Sequence, residues 1–316
     1  MNKFKKLGLG LLTAVAVIGL AACGNEGKES KKDADKKSDK LSVVTSFSII
    51  QDIAEEIGGD LVDVHNMVPI GLAPHEYEAL PEDIEKSTNA DVVFYNGLNL
   101  EGGKSGWFFK LMTSVKKEDS KVFEVMKGVE PMYLGENSGE KEMNPHAFLS
   151  PKVGMTMADN VLKAYEKADP KNADKYRENA EKYQKELEDM DKVYRDKVAE
   201  IPEKNRTLVT SEHAYQYMAK EYGLKEGYLW EIDTEENGTP EQIESLVKFV
   251  KKSDIPSLFV ETNVPPKPME TVFRETKVPI FGKVYSDELG KKGTDGDTYL
   301  GFLKSNIETI HNGLMK

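Results

Sequence analysis

Cysteine is the residue this chain most nearly lacks: Cys23 is the only one. That excludes an intrachain disulfide, a CxxC redox pair and any thiolate metal cluster. There is no GxxxxGK[ST] phosphate loop, no GxGxxG, no GxSxG nucleophile elbow and no HExxH helix, which removes the commonest nucleotide-dependent and hydrolytic classes. Basic clusters are missing too. With 43 Lys and Arg against 55 Asp and Glu, the formal charge is −12, which argues against a nucleic-acid partner. Long apolar runs are confined to Leu7–Ala22, which is too short and too rich in glycine for a permanent membrane span. Histidine is sparse, at five residues.

The amino terminus has a positive n-region at Lys3, Lys5 and Lys6, then the apolar run, then Leu20-Ala21-Ala22-Cys23. This is the layout of a secretory leader. Its last four residues resemble the bacterial lipobox, in which the cysteine is lipidated and becomes the first mature residue. A multiply acylated Cys23 is enough for stable membrane anchoring. Removing residues 1–22 takes the formal charge to −15. Residues 24–40 carry six Lys against five acids and nothing able to build a core, as expected of a flexible tether rather than a polybasic membrane patch. The remaining chain, roughly 275 residues, suits two lobes better than one core.

Strand and helix patterns alternate after the tether. Leu41–Ser46 reads as a buried strand and Ser48–Ile57 as a helix with Ile49, Ile50, Ile53 and Ile57 on one face. Val62–Met67 and Asp91–Tyr95 read as strands flanking a short helix at Pro81–Ser87, which points to a parallel-sheet α/β lobe. From Pro151 to about Ala199 strand signal disappears. Ala173–Ala199 fits one amphipathic helix of about 40 Å, its stripe formed by Tyr176, Ala180, Tyr183, Leu187, Met190 and Tyr194. Its place midway along the chain suits a bridge between lobes. A second α/β lobe follows, with strands at Arg206–Thr210, Ser257–Val260 and Ile280–Val284 and helices at Ala214–Glu221, Pro240–Lys251 and Thr298–Leu314.

The residues able to carry chemistry lie where an α/β lobe places ligands, beyond the carboxyl ends of strands. His75 sits in Pro74-His75-Glu76-Tyr77, and His146 in Asn144-Pro145-His146. Glu212 and His213 follow the strand ending at Thr210, and Asp287 follows the strand ending at Val284. Spacing alone does not make a motif of them, because a lone loop histidine is usually a surface residue. His65 alternates within a strand and is expected to face solvent. His311 lies near a helix carboxyl end, where a cation is favoured anyway.

These segments together resemble the metal-binding lipoproteins of manganese- and zinc-type ABC importers, including the streptococcal manganese receptors once described as adhesins. The resemblance runs through the lipobox, Pro74-His75-Glu76-Tyr77-Glu78, Tyr95–Glu101, Asn144–Pro151, Thr210-Ser211-Glu212, Trp230–Glu236 and Gly238-Thr239-Pro240, and covers essentially the whole mature chain. It implies two parallel-sheet α/β lobes joined by a single long rigid helix, with the metal in the interlobe cleft. The expected divisions are a leader at 1–22, anchor and tether at 23–40, lobes at 41–170 and 201–316, and a linking helix at 171–200. The implied ligands are His75, His146, Glu212 and Asp287.

Zinc-type members of this family have histidine where Glu212 stands, and often a His-rich acidic loop before the second ligand. Here the stretch from Gly135 to Glu142 contains no His. Two histidines and two carboxylates form an oxygen-rich set suited to Mn²⁺ or Fe²⁺ more than Zn²⁺. His213 keeps a zinc-type alternative open, since a one-residue shift in register would supply a third imidazole. The expectation is therefore a monomeric, lipid-anchored, extracytoplasmic receptor that hands Mn²⁺, or else Fe²⁺ or Zn²⁺, to an importer permease. A secreted metallohydrolase, with Glu76 as base, and a surface adhesin are the competing readings.

Overall fold

Leu41–Thr45 has the buried, β-branched texture of a central parallel strand, and it occupies the middle of the first sheet. A computed structural model describes residues 40–135, 142–232 and 238–316 of the chain. The leader, Cys23, the tether up to Asp39, most of the loop before Asn144 and the segment Asp233–Asn237 lie outside the described residues.

The first lobe is built from β1 (Leu41–Thr45), α1 (Ser48–Gly58), β2 (Val62–Asn66), α2 (Pro81–Asn89), β3 (Val92–Tyr95), α3 (Trp107–Ser114) and β4 (Val122–Glu124). The strands form one all-parallel sheet in the order β2-β1-β3-β4. Ile49, Ile50, Ile53 and Ile57 are fully buried, so the helical face read from the sequence is the one that packs. The turn into β2 needs Gly58, because a Cβ there would meet the Val62 side chain. Lys117 closes the far end of α2 by donating to the carbonyls of Ser87 and Ala90. A small antiparallel pair, β5 (Tyr133–Leu134) and β6 (Glu142–Met143), follows.

Two helices then carry the chain across: α4 (Pro151–Ala168) and α5 (Ala173–Glu200). At about 1.5 Å per residue, α5 is roughly 42 Å long. It buries Tyr176, Ala180, Tyr183, Leu187, Tyr194 and Val198, while Met190 is only partly covered. One end is tied to the first lobe through Asn179, which donates to the Ile57 carbonyl at 3.0 Å. Near the other, the Tyr194 hydroxyl donates to the Leu303 carbonyl in the second lobe at 2.8 Å.

The second lobe comprises β7 (Thr207–Glu212), α6 (Gln216–Tyr222), β8 (Lys225–Trp230), α7 (Pro240–Lys252), β9 (Leu258–Glu261), α8 (Lys267–Thr276), β10 (Ile280–Val284) and α9 (Tyr299–Leu314). Its strands pair in parallel as β7 with β8 and β9 with β10, and β9 runs beside β7. Helix α7 opens with a reciprocal cap: Thr239 Oγ1 accepts from Gln242 N–H, and the Gln242 side chain accepts from Thr239 N–H. One apolar cluster runs from α1 through α4 and α5 into α9, so the two lobes share buried core as well as a helix.

The sequence reading leaves several elements unassigned, among them the short pair β5 and β6, and sees in α4 only a loss of strand signal. Lys225–Trp230 is a strand although it opens on Lys, Glu and Gly, and α3, β4 and α8 are too short or too mixed in pattern to stand out. The strand expected to end at Thr210 runs two residues further. Glu212 therefore closes β7 rather than following it.

Candidate metal centre

Four strand ends and loops converge where the lobes meet. His75 lies on the irregular connection between β2 and α2, and His146 opens a tight turn over His146–Leu149. Glu212 ends β7, and Asp287 follows β10. One donor atom from each of the four lies within 4.8 Å of all the others, and among the described residues no other group of three or more His, Cys, Asp or Glu does this. His146 Nε2 stands 3.0 Å from Asp287 Oδ1 and 3.6 Å from Glu212 Oε1. His75 Nε2 stands 3.7 Å from Asp287 Oδ2 and 4.0 Å from Glu212 Oε1. Such separations match atoms sharing one ion at about 2.0–2.2 Å.

The supporting residues set the chemistry of each donor. Asn144 Nδ2 donates to the His213 carbonyl at 2.8 Å and to Gln216 Oε1 at 3.1 Å, which fixes the orientation of its amide. Its Oδ1 must then accept, and it takes the His146 backbone N–H at 3.1 Å and Nδ1 at 2.8 Å. His146 therefore carries its proton on Nδ1 and presents the Nε2 lone pair to the carboxylates. Burial pushes the His146 imidazole below its ordinary pKa, which favours the neutral form a metal needs.

Glu212 is held by its backbone. Its N–H and that of Ser211 donate to the buried carboxylate of Glu261 at 2.9 and 3.1 Å. Burial lifts Glu261 to about 7 despite those donors. Asp287 Oδ2 accepts from Asn263 at 3.3 Å, and Asn263 is in turn held by Ser286. On the His75 loop, Trp107 Nε1 donates to the Pro74 carbonyl at 2.9 Å. Asp83 gathers the Tyr77 hydroxyl, the Leu80 N–H and His65 Nε2, each at 2.8 Å.

One expectation changes, and the alternative built on His213 finds no support in the geometry. His65 is not turned to solvent but is four-fifths covered and paired with Asp83. His213, the candidate third imidazole, points away from the cluster: it stacks on Tyr228 with ring centroids 4.0 Å apart and faces Glu226 and Glu231 at 3.4 and 3.5 Å. His311 pairs with Glu200 near the end of α9, as a helix carboxyl terminus favours. The sequence reading names none of Asn144, Glu261 and Asn263 as supports. Asn144 alone left a signal, standing two residues before His146.

Two parallel-sheet lobes, a helix spanning both and a buried His and carboxylate cluster between them define a two-lobed solute-binding protein. The chain belongs to the family described as zinc-uptake complex component A, periplasmic, whose model matches residues 43–313. It is 46% identical over 312 residues to the metal ABC transporter substrate-binding lipoprotein SloC of Streptococcus mutans, covering 98% of this chain and 99% of that one. It is 44% identical over 314 residues to the manganese ABC transporter substrate-binding lipoprotein PsaA of Streptococcus pneumoniae, covering 99% and 100%. Among solved structures, the Mn-bound periplasmic metal-binding protein of Candidatus Liberibacter asiaticus superposes with a TM-score of 0.79 at 31% identity, over 87% of this chain and 100% of that one. The periplasmic zinc-binding protein TroA of Treponema pallidum gives 0.79 at 27% identity, over 88% and 100%.

Proposed function

We propose that this chain is the extracytoplasmic receptor of an ABC importer, and that it captures one Mn²⁺ with His75, His146, Glu212 and Asp287. The observation that carries the reading is the convergence of those four donors within 4.8 Å, three of them buried. Two carboxylates and two neutral imidazoles carry a charge of about −2, which one divalent cation neutralises. The family's description names zinc, while relatives at 44% identity are named for manganese. Glu212, with His213 turned toward Glu226 and Glu231, supports manganese. Affinity order still favours Zn²⁺ over Mn²⁺ at almost any such site, so Zn²⁺ is expected to bind and compete.

The proposal extends to the rest of the chain. Cys23 carries the lipid anchor, the mature protein is a monomer without enzymatic activity, and its partner is the importer permease. Its lobes are residues 41–170 and 201–316, with 171–200 linking them.

The deciding experiment is metal content. Soluble protein starting after Cys23 is stripped with chelator, offered Mn²⁺, Fe²⁺ and Zn²⁺ separately without oxygen, and analysed by elemental mass spectrometry. One Mn²⁺ per chain, lost in Glu212→Ala and kept in His213→Ala, is the expected result. Retention of Zn²⁺ alone, with His213 required, would make this a zinc receptor.

A further inference from the structure

Ahead of His75, the loop that carries it is fastened to the opposite lobe through the backbone of Gly71. Among the described residues, the hydrogen bonds of residues 69–73 are two: Leu72 N–H to the Pro69 carbonyl within the loop, and Gly71 N–H to the Glu288 carboxylate. Glu288 follows Asp287 directly and is itself buried. The residue after it is also seated on the first lobe, with Leu289 N–H donating to Ser48 Oγ at 3.0 Å. The Glu288 carboxylate is therefore delivered by a backbone already fixed across the lobe boundary. Gly71 has a φ of +102°, a conformation that a side chain would strain, with open space where a Cβ would sit.

Little else holds this stretch. Ile70 and Leu72, on either side of Gly71, are 40% and 51% exposed, so apolar packing adds little. His75 also lines a surface opening with Tyr77, Glu78 and Trp107. The other three donors are at most 1% exposed. The outermost donor thus sits four residues from the Gly71–Glu288 bond, on a stretch whose apolar side chains are half exposed.

We propose that Glu288 is a positioning residue for metal retention: by tethering Gly71 it keeps the His75 loop closed and sets the rate at which the ion leaves. This rests on the metal reading above. A bond from an N–H to a carboxylate is among the stronger hydrogen bonds, and its loss from a sparsely packed loop raises the open population directly.

The test uses mature soluble protein loaded with Mn²⁺ and mixed rapidly with excess chelator. Release from Glu288→Ala is expected to be about tenfold faster or more, the scale of one charge-assisted hydrogen bond. Glu288→Gln, which keeps an acceptor for Gly71, should recover part of that loss. Hydrogen exchange on the metal-free proteins supplies a second readout: amides of residues 69–75 should exchange faster in Glu288→Ala, while those of residues 144–150 should not change. Unchanged release, or faster exchange spread over both segments, would overturn the proposal. Should Glu288→Ala fail to fold, Glu288→Gln must still release faster than the unsubstituted chain, and an equal rate overturns it. Absence of Mn²⁺ uptake by the unsubstituted chain would instead sink the metal reading itself.

Discussion

His75 and His146 are the same residue type in the same lobe, each directly after a proline, and the fold holds them in opposite ways. His146 is wholly buried on a tight turn, its ring fixed by Asn144 and packed against Phe148. His75 rides an irregular loop beside a surface opening; its ring meets His146, Asp287 and Glu212, and its loop is tied through Pro74, Tyr77 and Gly71. The first donor is placed by the core before any ion arrives. The second depends on a loop that closes. A receptor that must both bind and release gains from this division, because preorganised donors lose little freedom on binding while one mobile donor gives the ion a way out.

Substituting the two histidines separately gives the largest contrast. For either His146→Ala or His75→Ala, Mn²⁺-dependent thermal stabilisation should vanish; at a metal concentration 1,000 times Kd that stabilisation is about 4 kcal/mol. The metal-free proteins should differ. His146→Ala empties a buried space and leaves Asn144 Oδ1 with only the backbone N–H of residue 146, at a cost of about 2–3 kcal/mol. His75→Ala removes a covered ring that packs edge-on against His146 but leaves Asn144 and its bonds intact, and should cost less, about 1 kcal/mol. Calorimetry of stripped and loaded protein checks both, and equal metal-free losses would break the comparison.

Asn144→Ala sharpens it from the other side. The substitution leaves every proposed ligand in place but removes the acceptor for His146 Nδ1 and the bond to the His213 carbonyl. Loss of such an outer partner typically weakens metal binding about 10- to 100-fold. Calorimetric titration with Mn²⁺ should find a drop of that size. Undiminished affinity would mean that packing alone sets the His146 ring.

The uneven legibility of the chain follows from the range of the interactions involved. The buried strand at Leu41–Thr45, the isoleucine face of α1 and the long helix α5 are written in local periodicity, and all three appear where the pattern puts them. The strand Lys225–Trp230 is not, because its stability comes from pairing with β7 and from burial of Leu229 and Trp230, and a hexapeptide opening on Lys, Glu and Gly shows no strand alternation. The candidate donors are far apart in sequence and belong to no helical or strand period. Only likeness to a known family singled out the four, and the fold then brought them together. Glu288 and Glu261 left no trace, since their partners, Gly71 and Glu212, are 217 and 49 residues away.

The smallest expected effect is on pH dependence, and it separates His146 from the buried acids around it. The His146 pKa lies below its ordinary value of 6.5 through burial, so the unfolded chain binds that proton first as pH falls. Metal-free stability attributable to His146 is therefore lost as pH drops through about 6.5. Asp52, Glu101 and Glu261 act with the opposite sign. Burial lifts each to about 7, so the native state takes up their protons first and gains stability as pH falls from about 7 toward the ordinary carboxylate range. Buried carboxyls of raised pKa outnumber the one lowered imidazole, and the metal-free protein should become more stable between pH 8 and pH 5.5. In His146→Ala the rise should be steeper across that window, because the opposing proton uptake by the unfolded imidazole is gone. Chemical denaturation across the window measures it. Identical slopes in the two proteins would show that the His146 ring reaches water in the metal-free state, and so is held no better than His75.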